Sequence, residues 1–185
     1  MDWLLWIDLE TTGLDCNDCS ILQIGCVLTN MDASHQLPMH EITLQCDKLK
    51  LDSMNEWCKK QHTESGLLKQ IESGNGCTLK SAEQQICLHL NNHVRVKDTI
   101  FLAGNSVHFD KGFIDKWMPS VASRISHRIV DISSLALICK SLNPHVYHFR
   151  PSKTNRHTAL SDIAESIYEY QYYLATFVRT QTIKN

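Results

Sequence analysis

The sequence lacks any apolar run that approaches the roughly 20 residues of a membrane-spanning helix. It also has no internal repeat, no low-complexity tract and no linker long enough to separate two domains. These absences exclude a helical membrane protein, a repeat protein and a chain of separate modules. The composition, 43% hydrophobic and 21% charged in 185 residues, is ordinary for one globular domain, so we expect a single domain over residues 1–185.

A strongly basic balance is missing as well. The formal net charge is −2, and the one basic cluster runs from His148 to Arg156. Proteins that hold long nucleic acids usually neutralise many phosphates with a basic stripe. The charge pattern therefore argues against a binder of long nucleic acid. If the substrate is a nucleic acid, the pattern favours a short one.

The eight cysteines show no regular spacing, and the pair Cys16-x-x-Cys19 has no second CxxC behind it. A chain of this length buries a core without disulfides. We expect reduced thiols, with a zinc or redox site at the pair as the alternative.

The first residues carry Asp2 and lead directly into the first motif, which argues against a signal peptide. We expect a cytoplasmic protein, with the mitochondrion as the alternative if a transit segment has been removed.

The hydrophobic pattern predicts strands that alternate with helices. Strands are expected at 3–10, 21–29, 41–45, 99–103 and 129–132, and helices at 53–72, 79–94, 110–118 and 134–141. The last helix has the clearest periodicity, because its apolar residues recur every three or four positions: Leu160, Ile163, Ile167, Tyr170, Leu174 and Phe177. This order of elements predicts an α/β fold with a mixed β-sheet flanked by α-helices.

Two acids stand out within the first strand. Asp8 and Glu10 are two residues apart, so on a strand they project from the same face with α-carbons roughly 7 Å apart. The neighbouring Trp6, Ile7 and Leu9 are residues that favour burial. A solvent-facing pair on an edge strand is the alternative, but acids in an apolar setting need a cation or hydrogen-bond partners. We therefore expect this pair to bind a metal ion.

Two further acids and a histidine complete a candidate set. Asp110 follows an apolar strand, and an Asp at a helix start is most often a cap. On one helix His157 and Asp162 would lie about 140° apart, so we expect His157 in the loop before the last helix and Asp162 in its first turns. Carboxylates suit two divalent cations, Mg²⁺ or Mn²⁺, and a histidine suits removal of a proton from water. The combination predicts a phosphodiesterase.

The stretches between these residues carry a more specific resemblance. They are residues 51–58, 62–66, 115–119, 127–133 and 165–173. With the acidic motifs they make nearly the whole chain resemble the oligoribonuclease family, a group of DEDDh exonucleases in the ribonuclease H-like superfamily, and its eukaryotic members in particular. The resemblance implies a ribonuclease H-like fold. It also implies a 3′–5′ exoribonuclease that degrades RNA of two to a few nucleotides, dinucleotides above all, to 5′-mononucleotides.

The resemblance assigns roles to the acidic set. It implies that Asp8, Glu10, Asp110 and Asp162 bind the two cations and that His157 is the general base. It also implies contacts with the bases: Leu14 as a wedge between them, Trp57 beneath the 3′ base and His62 nearby. A cap on the substrate's 5′ phosphate is implied for four more residues, Ser106, Arg128, Ser133 and Ser134. Finally, it implies a homodimer in which His127 reaches into the partner's site.

Several of these residues have simpler interpretations. Trp57 would also fit a core position, and Arg128 a surface cation. Ser133 and Ser134 would also fit as helix N-caps, which is compatible with binding a phosphate.

The chain departs from the family pattern at four positions. Thr11 replaces a usual Met, His127 a usual Tyr, Gly112 a usual basic residue, and Ser161 a usual Asp. None of these changes removes a metal ligand, but they leave substrate affinity and length preference open. The alternatives are therefore a DEDDh exonuclease that acts on DNA or longer RNA, and a non-catalytic module that binds short RNA.

Overall fold

The computed structural model describes residues 1–152 and 158–178. Its strands are β1 (Asp2–Thr11), β2 (Ile21–Asn30), β3 (Gln36–Pro38), β4 (Ile42–Thr43), β5 (Thr99–Gly104) and β6 (Ile129–Asp131). Its helices are α1 (Lys48–Asp52), α2 (Glu56–Glu64), α3 (Leu67–Glu72), α4 (Leu79–His93), α5 (His108–Trp117), α6 (Pro119–Ala122), α7 (Ile132–Leu142), α8 (Pro144–His148) and α9 (Ala159–Tyr173). A π-helical turn, Leu174–Val178, continues α9.

The strands described form one mixed sheet. Its order is β3-β2-β1-β5-β6, and β4 also pairs with β2. Strands β1 and β2 are antiparallel, whereas β1 with β5 and β5 with β6 are parallel. The parallel pairs need long crossover connections, which the helices between the strands supply. The predicted fold class, a ribonuclease H-like mixed sheet flanked by helices, is confirmed.

Strand β1 is apolar on both sides because both faces of the sheet are covered. Leu5 and Ile7 face a cluster that includes residues of α4 and α5. Leu4 and Trp6 face the opposite cluster, formed with α7 and α9. Trp6 contacts Tyr170 of α9 edge to face, with ring centroids 5.4 Å apart. The predicted apolar stripe of the last helix is confirmed, since all six of its residues belong to or pack against this second cluster.

The region after β2 differs from the prediction. The strand predicted at 41–45 is present but shorter, as β4, and the structure adds an unpredicted strand, β3; both pair with β2. Pro38 ends β3 at the edge of the sheet, where its missing N–H costs no ladder hydrogen bond. The segment is too short for hydrophobic periodicity to define its register.

Two predicted helices also have different bounds. Residues 53–72 are largely helical as predicted, but they form two helices, α2 and α3, and a further short helix, α1, precedes them. The Asn55 side chain caps α2, and Gly66 has φ +79° between α2 and α3. The helix expected at 110–118 begins earlier, at His108, and ends at Trp117. Pro119 then starts α6, since proline is compatible with the first turn of a helix.

All eight cysteines are free thiols, as expected for the reduced state. Among the residues described, every helix is too short or too polar to cross a bilayer.

Candidate active site

Three carboxylates converge at the C-terminal half of β1. Asp8 and Glu10 project from the same face of the strand, as their spacing predicts. Asp162 comes from the first turn of α9, and the ligand oxygens of the three side chains all lie within 4.8 Å of one another. Each carboxylate is partly buried. This is a donor set of hard oxygen atoms of the type that divalent cations such as Mg²⁺ or Mn²⁺ prefer.

A close approach between α9 and β2 brings Asp162 to the strand acids. Gly25 on β2 is paired with Asp8, and its Cα lies directly against Ala159, the first residue of α9. A Cβ built on Gly25 would stand 2.7 Å from the Ala159 Cβ and 2.8 Å from its carbonyl carbon. Only glycine permits this approach without a shift of the helix, so Gly25 is part of the geometry of the cluster.

Asp110 reaches the same strand from the other side. It lies in the first turn of α5, where the N-cap position is Val107, so the interpretation of Asp110 as the helix cap is wrong. The side chain instead accepts a hydrogen bond from the backbone N–H of Leu9, at 3.0 Å. Leu9 separates Asp8 from Glu10. Asp110 is therefore held beside the pair of strand acids by their own backbone.

Burial and mutual repulsion disfavour negative charge in this cluster. Burial, and then the charges of Asp162, Asp110 and Glu41, raise the pKa of Glu10 to about 7. Burial likewise raises the pKa of Asp110 to about 7, although the Leu9 N–H acts in the opposite direction. A bound cation would offset both effects, since it compensates the charge that burial penalises. The residues present therefore fit a divalent cation.

These shifts predict how stability depends on pH before any cation binds. Between the ordinary pKa values, 4.5 and 3.8, and the value of about 7 in the folded state, the folded protein binds more protons than the unfolded chain. This contribution therefore lowers the free energy of unfolding as pH rises through that window. Thermal unfolding in EDTA at about pH 5.5 and about pH 8 measures it, and Mn²⁺ should reduce the difference. Glu10→Gln should flatten the dependence; an unchanged dependence in that variant would contradict the assignment.

An open cleft of about 300 Å³ lies next to Glu10. Leu14, Trp57 and His62 line it together with Asn55 and other residues of β1 and α2. Leu14 is 73% exposed and Trp57 is 65% exposed. The interpretation of Trp57 as a core residue is therefore wrong. Two large apolar side chains exposed beside a carboxylate cluster form a surface on which flat, apolar rings can pack.

His62 differs from its two neighbours because it is buried. Its Nε2 lies 2.8 Å from the Thr11 carbonyl oxygen, and its Nδ1 lies 3.7 Å from Glu10 Oε2. The first contact requires Nε2 to carry the hydrogen, because a carbonyl oxygen only accepts. His62 thus joins α2 to the end of β1 and orients the wall of the cleft.

A second cleft, of about 470 Å³, holds Ser106 and Ser133. Their hydroxyl oxygens are 3.2 Å apart. Asp131 caps α7 and accepts hydrogen bonds from both backbone N–H groups, at 3.0 Å from Ser106 and 2.9 Å from Ser133. The interpretation of Ser133 and Ser134 as N-caps is therefore wrong. An Asp two residues before a helical Ser is an N-cap signal that identifies Asp131 from sequence.

Arg150 lines the second cleft as well, and the motifs gave no indication of it beyond the basic cluster. Its guanidinium carbon lies 3.9 Å from the centre of the Tyr147 ring. It donates to the Tyr147 carbonyl oxygen at 3.0 Å, and its Nε is 3.9 Å from Glu169 Oε1. Stacking and pairing hold this cation in the wall of the cleft.

Three other predicted residues lie apart from these groups. Ser134 is exposed on α7, and His127 and Arg128 are exposed in the segment before β6. Within the described part of the chain, neither His127 nor Arg128 lines one of the two clefts. His157 lies outside the described residues.

Comparisons with known proteins agree with this fold and site. A family model described as Exonuclease matches residues 5–170. The mitochondrial oligoribonuclease of Bos taurus is 36% identical over 179 residues, 97% of this chain and 75% of that protein. The oligoribonuclease of Arabidopsis thaliana is 37% identical over 178 residues, 96% of this chain and 79% of that protein.

Solved structures of exonuclease I have the same fold. Exonuclease I from Methylocaldum szegediense superposes with a TM-score of 0.71 at 13% identity, over 97% of this chain and 42% of that one. E. coli exonuclease I in complex with a dT13 oligonucleotide gives a TM-score of 0.68 at 15% identity, over 94% and 41%. The chain thus spans less than half of either structure, and the likeness concerns the fold alone.

The match to the Exonuclease family and the oligoribonuclease relatives place the chain among the 3′–5′ exonucleases, and its mixed sheet has the ribonuclease H-like fold. More narrowly, the chain belongs to the oligoribonuclease family of exoribonucleases. The sequence-based predictions of the family and of the enzyme class are confirmed.

Proposed function

We propose that this protein is a metal-dependent exonuclease, formed by residues 1–185 as one domain, that degrades RNA of two to a few nucleotides from the 3′ end to 5′-mononucleotides. The observation that carries the proposal is the junction of two surfaces. The acids Asp8, Glu10 and Asp162 adjoin a cleft in which Leu14 and Trp57 are exposed. The residues proposed for phosphodiester cleavage therefore lie next to the residues proposed for base binding, at the C-terminal end of β1.

In this proposal Asp8, Glu10, Asp110 and Asp162 hold two divalent cations, Mg²⁺ or Mn²⁺. Two such ions would stabilise the charge on the attacking and leaving oxygens of an in-line displacement. The hydrogen bond from the Leu9 N–H holds Asp110 in place, and the contact between α9 and β2 holds Asp162. His157 would remove the proton from the attacking water, a role that suits an imidazole at neutral pH.

The exposed indole of Trp57 would support the 3′ base, and Leu14 would separate it from the preceding base. Stacking on an aromatic ring contributes about 1–3 kcal/mol per base and tolerates any sequence. His62 would affect substrate binding indirectly, because its ring is buried and its hydrogen bond to the Thr11 carbonyl oxygen orients the wall of the cleft. This cleft has room for few bases, which agrees with a short substrate.

The 5′ phosphate would bind at the second cleft. Ser106 and Ser133 offer hydroxyl groups there, Ser134 follows in the first turn of α7, and a helix N-terminus favours an anion. Arg128 would complete this cap, because its planar guanidinium binds phosphate oxygens in pairs. Arg150 already stands in the same wall.

We further propose a homodimer in which the partner supplies His127. In the described residues His127 is exposed and lines neither cleft, so a second copy is the simplest source of this group. Leu137, Ile138 and Leu142 expose 68%, 51% and 73% of their surface on α7. Leu137 also lines the second cleft, so a partner packed on α7 would lie beside it. The proposed compartment is the cytoplasm, with the mitochondrion as the alternative.

The decisive experiment is a length series of 5′-phosphorylated RNA and DNA substrates, from dinucleotides to about ten nucleotides, with Mn²⁺. We expect mononucleotide release to be fastest from RNA dinucleotides. Faster cleavage of DNA or of the longest RNA would favour the alternative exonuclease. Binding without turnover in saturating Mn²⁺ would show a non-catalytic module.

Trp57→Ala is the matched variant for this series. Loss of the stacking surface should raise KM for RNA dinucleotides by about 10- to 100-fold, with a smaller change in kcat. Trp117→Ala is the control, since that indole is also exposed but lies outside the cleft beside Glu10. An unchanged KM in Trp57→Ala would remove the base-stacking role.

A further inference from the structure

The helix that carries Asp162 begins without a cap of its own. Thr158 occupies the N-cap position with φ −121° and ψ 139°, but its side chain makes no capping hydrogen bond. The first N–H groups of a helix have no partner within the helix and need one elsewhere. For the N–H of Leu160, that partner is Glu41 Oε1, at 3.0 Å and 119 positions earlier in the chain.

The sheet holds Glu41 in place for this contact. Glu41 directly precedes β4, and the next residue, Ile42, is buried and paired with Ile24 of β2. Ile24 neighbours Gly25, which makes the close approach to Ala159. The start of α9 is therefore held at two adjacent points of one strand pair: Gly25 sets how near the helix lies, and Glu41 binds its first turn.

Asp162 belongs to the same turn as Leu160. Its backbone N–H bonds the Thr158 carbonyl oxygen at 3.0 Å, so its Cα moves with the start of the helix. Its carboxylate must place an oxygen within 4.8 Å of both Asp8 and Glu10. A change in the first turn of α9 is thus transmitted directly to the proposed metal ligand.

We propose that Glu41 is a positioning residue of the metal site: it caps α9 from the sheet and so orients Asp162. The inference rests on the proposed function for the role of Asp162 as a ligand. Glu41 is not itself among the three convergent carboxylates of the described residues. The contact that the structure shows for Glu41 is the hydrogen bond that it accepts from the Leu160 N–H, at 3.0 Å.

Two conservative variants separate the effect of the length of the Glu41 side chain from the effect of its charge. Glu41→Gln keeps an oxygen acceptor at the same distance from the backbone and removes the charge. Glu41→Asp keeps the charge but shortens the side chain by one methylene, so that it no longer reaches the Leu160 N–H. A capping role predicts that Gln preserves the site and that Asp damages it, whereas a role for the charge predicts the reverse.

The test is Mn²⁺ binding to the metal-free protein by calorimetry, followed by kcat and KM on 5′-phosphorylated RNA dinucleotides. We expect Glu41→Asp to weaken Mn²⁺ binding by about 10-fold and to lower kcat more than it raises KM, as loss of a supporting hydrogen bond does in metal sites. Glu41→Gln should bind Mn²⁺ within about 3-fold of the natural protein. Glu72→Ala, at an exposed position of α3, is the control for an unrelated loss of charge.

Wild-type Mn²⁺ affinity in Glu41→Asp, or an equal loss in both variants, would overturn the positioning role. Thermal unfolding establishes that each variant is folded before its affinity is compared. The calorimetry does not depend on turnover. If the natural protein releases no mononucleotide, the proposed function fails, while the comparison of metal affinities still decides the role of Glu41.

Discussion

Asp110→Asn should lower kcat on RNA dinucleotides by a factor of about 10³ or more, because it removes a proposed metal ligand and one charge from the site. The amide oxygen still accepts the hydrogen bond that Leu9 N–H donates to Asp110, at 3.0 Å. The change is therefore nearly isosteric. We expect a folded, inactive protein that binds Mn²⁺ weakly in calorimetry.

The stability of the Asp110→Asn variant should stay the same or rise, although its kcat falls. Burial raises the pKa of Asp110 to about 7, so at about pH 8 the metal-free protein holds a charge that its surroundings disfavour. Asn removes that charge. The melting temperature of the Asp110→Asn variant in EDTA should therefore equal or exceed that of the natural protein. Asp115→Asn, at an exposed position of the same helix, is the control and should keep full activity. Full activity in Asp110→Asn would exclude Asp110 from the metal site.

Gly25→Ala is expected to damage stability and activity together. The new Cβ would stand 2.7 Å from the Ala159 Cβ and 2.8 Å from its carbonyl carbon, so α9 must shift away from β2. Overpacking of this kind costs about 1–3 kcal/mol. A displacement of about 1 Å at a reacting centre can lower the rate about 100-fold, and Asp162 moves with the helix. Thermal unfolding and kcat measure the two effects.

Gly112→Ala is the matched control for that substitution. A Cβ on Gly112 meets only Cys16 Sγ, at 3.8 Å, which is ordinary contact. Because Gly112 lies within α5, alanine should stabilise the helix by about 0.5–1 kcal/mol and leave kcat unchanged. Equal activity in the two glycine variants would show that the approach of α9 to β2 is not needed for catalysis.

Local periodicity accounts for what the sequence could predict. The two-residue spacing places Asp8 and Glu10 on one face of β1, and the spacing of three and four defines the buried face of α9. Both patterns depend only on the geometry of one element. The mixed sheet follows from the order of such elements, so the fold class was predictable as well.

The features that the sequence could not predict depend on contacts between segments that are distant along the chain. No local pattern relates Leu9 to Asp110, Gly25 to Ala159, or Glu41 to Leu160, because each pair meets only after the sheet and its helices assemble. Asp110 taken alone therefore fitted a helix cap and needed the other acids to indicate a metal ligand, and Glu41 carried no signal at all. Strand β3 was missed, and β4 was predicted too long, for a related reason, since two or three residues show no periodicity.

The order of the carboxylates along the chain has a consequence for biosynthesis. Asp8 and Glu10 leave the ribosome first, Asp110 follows about a hundred residues later, and Asp162 comes last on α9. A nascent chain that ends before α9 has three of the four acids but no closed site. On the proposed assignment of the four acids, a chain that ends before α9 would lack one metal ligand, so its nuclease activity would depend on the docking of α9 on the sheet.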